Sequence, residues 1–154
     1  MSNVERSAGL ASDVGRHLGI RPGTGADSRA CFDVFRDSLG DLLRRNGLRT
    51  ADEPGLGGDD LWPAYEAIFE HFAATCAQWW VAEGEDGRLA GYARSTQRGD
   101  VLELTEFFVT PGTRVKGVGR ALLERAFAPG VGAHRAIIAT IDAPAVALYL
   151  RFGV

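Results

Sequence analysis

One stretch, Val101 to Phe127 (VLELTEFFVTPGTRVKGVGRALLERAF), constrains the fold more than any other part of the chain. Val101 to Val109 is rich in β-branched and aromatic residues, which predicts a strand. Its alternation is imperfect: strand geometry puts Leu102, Leu104 and Phe108 on one face and Val101, Phe107 and Val109 on the other. A strand apolar on both sides belongs inside a sheet that is covered on both faces. Thr110-Pro111-Gly112 is turn chemistry. From Gly117 on, Val118, Leu122, Ala126 and Phe127 form the one-sided stripe of a helix. Between turn and helix lies Arg114-Val115-Lys116-Gly117-Val118-Gly119.

That join has the makings of an anion site. The first turn of a helix carries N–H groups without intrahelical acceptors, and the helix dipole favours negative charge there. Gly117 and Gly119 carry no Cβ, so a ligand has room to approach the backbone, and Arg114 and Lys116 add positive charge. Strand, basic glycine loop and helix together describe a cradle for a phosphate or pyrophosphate. The alternative is that the glycines only permit a tight strand-to-helix turn. The loop is neither a Walker loop, since no Gly-Lys-Ser/Thr follows, nor the dinucleotide fingerprint Gly-x-Gly-x-x-Gly.

The chain's 154 residues suit one domain with a core of its own. A net charge of -3 argues against nucleic-acid binding as the main role and is compatible with a cationic amine substrate. Cys31 and Cys76 lack any metal or Cys-x-x-Cys spacing and fall on apolar helix faces, which points to free thiols in a reducing compartment. No signal pattern opens the sequence and no apolar run is long enough to span a bilayer, so a cytoplasmic protein without membrane or metal is expected.

Residues 1–14 are small, polar and aperiodic, and are expected to be disordered or loosely docked; residues 15–154 are expected to form the folded domain. A short strand is expected over Arg16 to Arg21, before Pro22-Gly23. Asp27 or Ser28 then caps a helix to about Arg45, with Cys31, Phe32, Phe35, Leu39, Leu42 and Leu43 near a helical period. Leu48 to Asp59 is loop. Asp60 caps a second helix with Pro63 in its first turn and a stripe of Leu61, Tyr65, Ile68, Phe69, Phe72 and Cys76; His71 lies off the stripe as a solvated residue. Trp79 to Glu83, the turn Glu85-Asp86-Gly87 and Arg88 to Ser95 make a hairpin, and Arg98-Gly99-Asp100 leads into the Val101 strand as an antiparallel meander. Trp79 and Trp80 point to opposite faces. His134 to Ile141 is a further β-rich run, followed by Asp142 at an N-cap and a helix with Ala145, Leu148, Tyr149 and Phe152 on one face.

These segments resemble the GNAT superfamily of N-acetyltransferases. Arg114-x-x-Gly117-x-Gly119, preceded by Val109-x-Pro111, is similar to its motif A, Gln/Arg-x-x-Gly-x-Gly/Ala. DAPAVALYLRFGV is similar to its motif B: Asp142, Leu148-Tyr149 and Gly153 match, while Val154 stands where Phe is usual. The resemblance covers Arg16 to Val154. It implies an α/β (α+β) fold of GNAT type: a mixed, mostly antiparallel central sheet flanked by helices, here truncated after the motif B helix. It implies acetyl-CoA as co-substrate, with the pantetheine arm along Phe107, Phe108 and Val109. The pyrophosphate would lie on the loop formed by Arg114, Val115, Lys116, Gly117, Val118, Gly119 and Arg120. The family continues into two more strands, so the resemblance implies a fragment of a longer or tandem-domain protein, or a homodimer through the exposed edge of the fifth strand.

Acetyl transfer to an amine needs the amine deprotonated, from a free value near ~10, a donor for the oxyanion and a proton for the departing thiolate. Glu103 and Glu106, charged residues in an apolar strand, are the candidates for the base, and the period-two rule places them on opposite faces. Glu106 is nearer the Phe-Phe-Val segment and is favoured for amine contact, with Glu103 as the alternative base; a salt bridge to an arginine such as Arg94 explains either acid equally well. Tyr149 is the thiolate's proton donor by resemblance, although an aromatic on an apolar helix face is usually core. Two functions are therefore expected in order: a direct-transfer N-acetyltransferase acting on a primary amine of a small molecule or a protein N-terminus, and a catalytically silent acyl-CoA-binding module of a larger protein.

Overall fold

The structure, a computed structural model, describes residues 19–48, 61–113, 116–140 and 142–154. The segment 1–14, most of the 48–59 loop, the expected cap Asp60, and Arg114 and Val115 lie outside the described residues. A five-stranded sheet runs in the order β1 (Gly19–Pro22), β2 (Gln78–Glu83), β3 (Leu89–Arg98), β4 (Val101–Val109) and β5 (His134–Ile137). The first four strands are antiparallel to their neighbours and β5 lies parallel to β4. The helices are α1 (Ser28–Arg45), α2 (Trp62–Thr75), α3 (Val118–Ala126) and α4 (Ala143–Arg151). Among the described residues, no helix is long and apolar enough to cross a membrane.

Both faces of the sheet are covered, as the apolar run of β4 requires. On one face α1 and α2 enclose Cys31, Phe32, Phe69, Trp79, Val81 and Tyr92. On the other, α3 brings Val118, Leu122, Leu123 and Ala126 against Ala82, Ala93, Leu102 and Leu104, with Leu148, Tyr149 and Phe152 of α4 packed beside them. Trp79 joins the first cluster and Trp80 packs on the second, as neighbouring strand residues must. Arg135 of β5 ties the second face together. Its guanidinium donates to the carbonyls of Phe127, Phe152 and Gly153, satisfying groups that the ends of α3 and α4 leave without partners.

Several boundaries differ from the sequence expectations. Among the described residues the first strand covers Gly19–Pro22, and it ends at Pro22 instead of Arg21, where edge position tolerates a residue without an N–H. A short 3-10 turn, Gly25–Asp27, precedes α1. Asp27 bonds Thr24 and Arg21 there and makes no side-chain cap to α1. Leu61 holds the N-cap position of α2, with Pro63 in its first turn as expected. Ile68 is 48% exposed, off the buried stripe. β3 runs on to Arg98, and β5 stops at Ile137, leaving Ile138 88% exposed.

The largest correction concerns β4. Arg94 pairs with Glu106 but Ser95 pairs with Leu104, so Thr105 is an extra residue opposite the β3 backbone. Such a bulge reverses the side-chain alternation beyond it. Leu102 and Leu104 therefore share a face with Phe107 and Val109, while Phe108 turns to Phe35 and Tyr92 on the α1 side. Glu103 and Glu106 fall on the same face, not on opposite faces.

Candidate active site

The bulge also sets where β4 loses its outer neighbour. β5 pairs only with Val101 to Leu104, through His134 to Ile137. From Glu106 to Val109, β4 has no strand on that side among the described residues. On its other side Thr110 N–H donates to Ala90 C=O at 2.9 Å. Antiparallel alternation then turns the peptide groups of Glu106 and Phe108 toward β3 and those of Phe107 and Val109 toward the open side. The Val109 carbonyl accepts the Ser38 hydroxyl of α1 at 3.0 Å, as that orientation requires. The two parallel strands thus form a wedge with Thr105 at its apex.

At the wide end the chain turns through Pro111 and Gly112, with Thr113 N–H bonded to Thr110 C=O. Gly117 is the N-cap of α3 with φ +88°, a left-handed conformation that favours glycine. The first α3 bond from this cap is Ala121 N–H to Gly117 C=O at 2.9 Å. The N–H groups of Val118, Gly119 and Arg120 precede it and have no intrahelical acceptor. Val118 points its side chain into the core, so only its amide is available outward. Lys116 is exposed, and Arg120 is exposed and paired with Glu124 at 2.8 Å. Gly119 serves packing: a Cβ there would stand 3.0 Å from Phe107 Cζ and 3.6 Å from Leu148 Cδ2. Beside the turn lies an open cavity of about 750 Å³, bounded by α1, the β2–β3 turn and Thr110 to Thr113.

The two acids occupy different surroundings on their shared face. Glu106 is only 8% exposed, and both its oxygens are engaged, by Tyr92 O–H at 2.9 Å and Arg94 Nη1 at 3.0 Å. Burial pushes its carboxyl up, and the Arg94 guanidinium and Tyr92 hydroxyl pull against that. Arg94 is fully buried and lies 3.9 Å from the Trp79 ring centroid. Glu103 is half-buried, lines a separate cavity and makes no hydrogen bond or ion pair among the described residues. Tyr149 of α4 lies on the opposite face, its ring edge-on to Phe107 at 5.9 Å. Burial first, then the Asp142 charge, pushes its phenol up to about 12. Asp142 stands at the N-cap of α4, but its carboxylate bonds Arg45 at 3.2 Å instead of capping the helix.

The structure thus brings Phe107, Val109, Gly117, Gly119 and Tyr149 around the wedge, while Phe108 faces the α1 core and Arg114 and Val115 lie outside the described residues. Sequence analysis missed the Thr105 bulge, the Tyr92 hydroxyl and Ser38. The available signal for the bulge was the break in alternation after Leu104, with two acids three residues apart in one strand.

The "Acetyltransferase (GNAT) family" model matches residues 45–154. A streptothricin acetyltransferase from Streptomyces lavendulae is 38% identical over 108 residues, covering 66% of this chain and 53% of the relative. The chain therefore spans about half the length of that curated relative. The fold is similar to PaiA N-acetyltransferase from Thermoplasma acidophilum in complex with coenzyme A, with a TM-score of 0.62, 16% identity and 87% of each chain covered. It is also similar to aminoglycoside N-acetyltransferase AAC(6')-Iy in complex with CoA, with a TM-score of 0.60, 18% identity, and 89% of this chain and 87% of that one covered. With the family model matching through both glycine loop and wedge, the chain belongs to the GNAT family of acetyltransferases.

Proposed function

We propose that this chain transfers an acetyl group from acetyl-CoA to the primary amine of a small molecule. The observation that carries this reading is the wedge. The peptide groups of Phe107 and Val109 face a strand edge that is open among the described residues and leads to the first-turn amides of a glycine-capped helix, which have no intrahelical acceptor. A diphosphate suits the amides of Val118, Gly119 and Arg120, with Lys116 beside them. An amide-bearing arm suits the strand edge, because strand peptide groups pair with extended amides. The Ser38 hydroxyl holds the Val109 carbonyl at the mouth of the wedge. When bound, acetyl-CoA supplies an activated acyl group as a thioester.

The residues divide the proton traffic between the two faces of the sheet. Glu103 has free carboxylate oxygens on the α1–α2 face and is the group proposed to take the proton from the amine. Glu106, held by Arg94 and Tyr92, is proposed to fix the strand beneath the apex. Tyr149, with its phenol raised to about 12, remains protonated at neutral pH and is proposed to donate to the leaving sulfur. The PaiA and AAC(6')-Iy structures hold coenzyme A, which supports the choice of donor. The streptothricin relative supports a small-molecule acceptor over a protein N-terminus.

The second reading is a silent acyl-CoA-binding module, and the engagement of both Glu106 oxygens favours it. Thiol release from acetyl-CoA in the presence of an amine panel separates the two. The enzyme reading expects turnover, and Tyr149→Phe should lower kcat by about 10²-fold or more with donor affinity unchanged. Tight acetyl-CoA binding with no thiol release from any amine would establish the silent module instead.

A further inference from the structure

The α1–α2 face of the sheet holds a cavity of about 320 Å³ at the Val101 end of β4. Its polar lining comes from His71 and Thr75 of α2, Thr96 and Arg98 of β3, and Glu103 and Thr105 of β4. Thr105 is the bulge residue, beyond which the pairing with β5 stops. The cavity therefore abuts the apex of the wedge. A donor held by its diphosphate near Gly117 and extended along Val109 and Phe107 brings its acyl end toward that apex.

The chemistry of the lining is specific. Glu103 and Arg98 each lack a hydrogen-bond or ion-pair partner among the described residues. Glu103 pairs across the ladder with Thr96, and Arg98 lies two residues beyond Thr96. The two are diagonal neighbours, about 7–8 Å apart at Cα, with both side chains in one cavity. The hydroxyls of Thr96 and Thr105 bond each other at 2.9 Å, which leaves one O–H free. Thr75 donates to the His71 carbonyl at 2.8 Å and keeps its lone pairs. A polycation would need a carboxylate for each ammonium. Here a single carboxylate stands beside a guanidinium, an arrangement that repels a second positive charge.

We propose that this cavity is the acceptor site and that it takes a small zwitterionic amine, with its ammonium on Glu103 and an acidic group a few bonds away on Arg98. This rests on the acetyl-transfer reading above. It differs in substrate class from what the names of the streptothricin and aminoglycoside relatives suggest for those proteins. In the transfer, a nitrogen–carbon bond forms as the carbon–sulfur bond breaks. Of the two protons the ammonium sheds, one restores the proton that Tyr149 gives to sulfur and the other leaves to solvent through Glu103.

The test is a titration of the intact chain followed by the His71 ring-proton resonances, assigned by their loss in His71→Gln. The probes are the free amino acids, β-alanine and γ-aminobutyrate, against spermidine, neomycin and the methyl ester of the best-binding zwitterion. At least one zwitterion is expected to shift the His71 signals saturably. Removing the acid by esterification, or its partner by Arg98→Ala, is expected to weaken binding roughly tenfold or more. The proposal is overturned if no zwitterion shifts His71, if the ester binds as well as the acid, or if spermidine or neomycin binds there more tightly than every zwitterion. Saturable zwitterion binding without thiol release removes the acetyl-transfer reading and leaves the ligand class standing. Thiol release with polycations alone does the reverse.

Discussion

Arg94 and Glu106 show how a carboxylate in the middle of a strand admits two readings. In the sequence Glu106 is a carboxylate in an apolar run, which calls equally for a substrate or for a structural partner. The structure supplies the partner: Arg94 on the adjacent strand, with the Tyr92 hydroxyl on the second oxygen. Breaking a buried pair leaves an uncompensated charge, so Arg94→Ala should cost about 3–5 kcal/mol in urea unfolding. Replacing both members with apolar residues, Arg94→Met with Glu106→Leu, should recover most of that loss. If Arg94→Ala unfolds at the wild-type urea midpoint, the pair is not the strut described here. Glu103 was legible as an acid out of place, but its surroundings were not, because they depend on a helix and a strand distant in sequence.

At the level of elements, the glycine loop was readable in outline but not in its packing. Strand, turn and helix fall where the pattern puts them, and β4 has the expected bounds. The pattern allows both glycines either ligand approach or a tight strand-to-helix turn, and the structure gives each its own surroundings. Gly117 is required by φ +88°. Gly119 is required by the Phe107 ring and Leu148 of α4, which its bare Cα lets α3 approach. Gly119→Ala should therefore displace Phe107 and weaken acetyl-CoA binding by about tenfold, or about 1.4 kcal/mol; calorimetric titration with unchanged affinity would show that α3 accommodates the methyl without moving the wedge. The bulge escaped notice for a physical reason. It is defined by which β3 residue faces which β4 residue, and a single-strand pattern holds no register.

For the whole molecule, cover on both faces of the sheet followed from a central strand apolar on both sides, and the sequence pattern made that much plain. What it could not convey is how the faces divide the chemistry, with the acids under α1 and α2 and Tyr149 on α4 at the other face. One buried and one half-buried acidic hydrogen also give the molecule a shared pH dependence. Burial pushes the Cys31 thiol from 9.0 up to about 12 and the Tyr149 phenol from 10.0 up to about 12. Between those values the unfolded chain has released protons that the folded chain still holds, so stability falls as pH rises. The contribution is full below about pH 9 and disappears toward about pH 12. Urea midpoints measured from about pH 8 to about pH 11 should fall, and Tyr149→Phe should flatten the upper part of that decline; a midpoint that holds constant would mean the two groups are already open to solvent. The central claim is that the glycine-capped helix and the open half of β4 together grip a coenzyme A thioester. Amide resonances followed during titration with acetyl-CoA test it most directly. The account predicts saturable shifts concentrated at Phe107, Val109, Val118, Gly119 and Arg120, whereas shifts confined to other elements, or none at all, would contradict it.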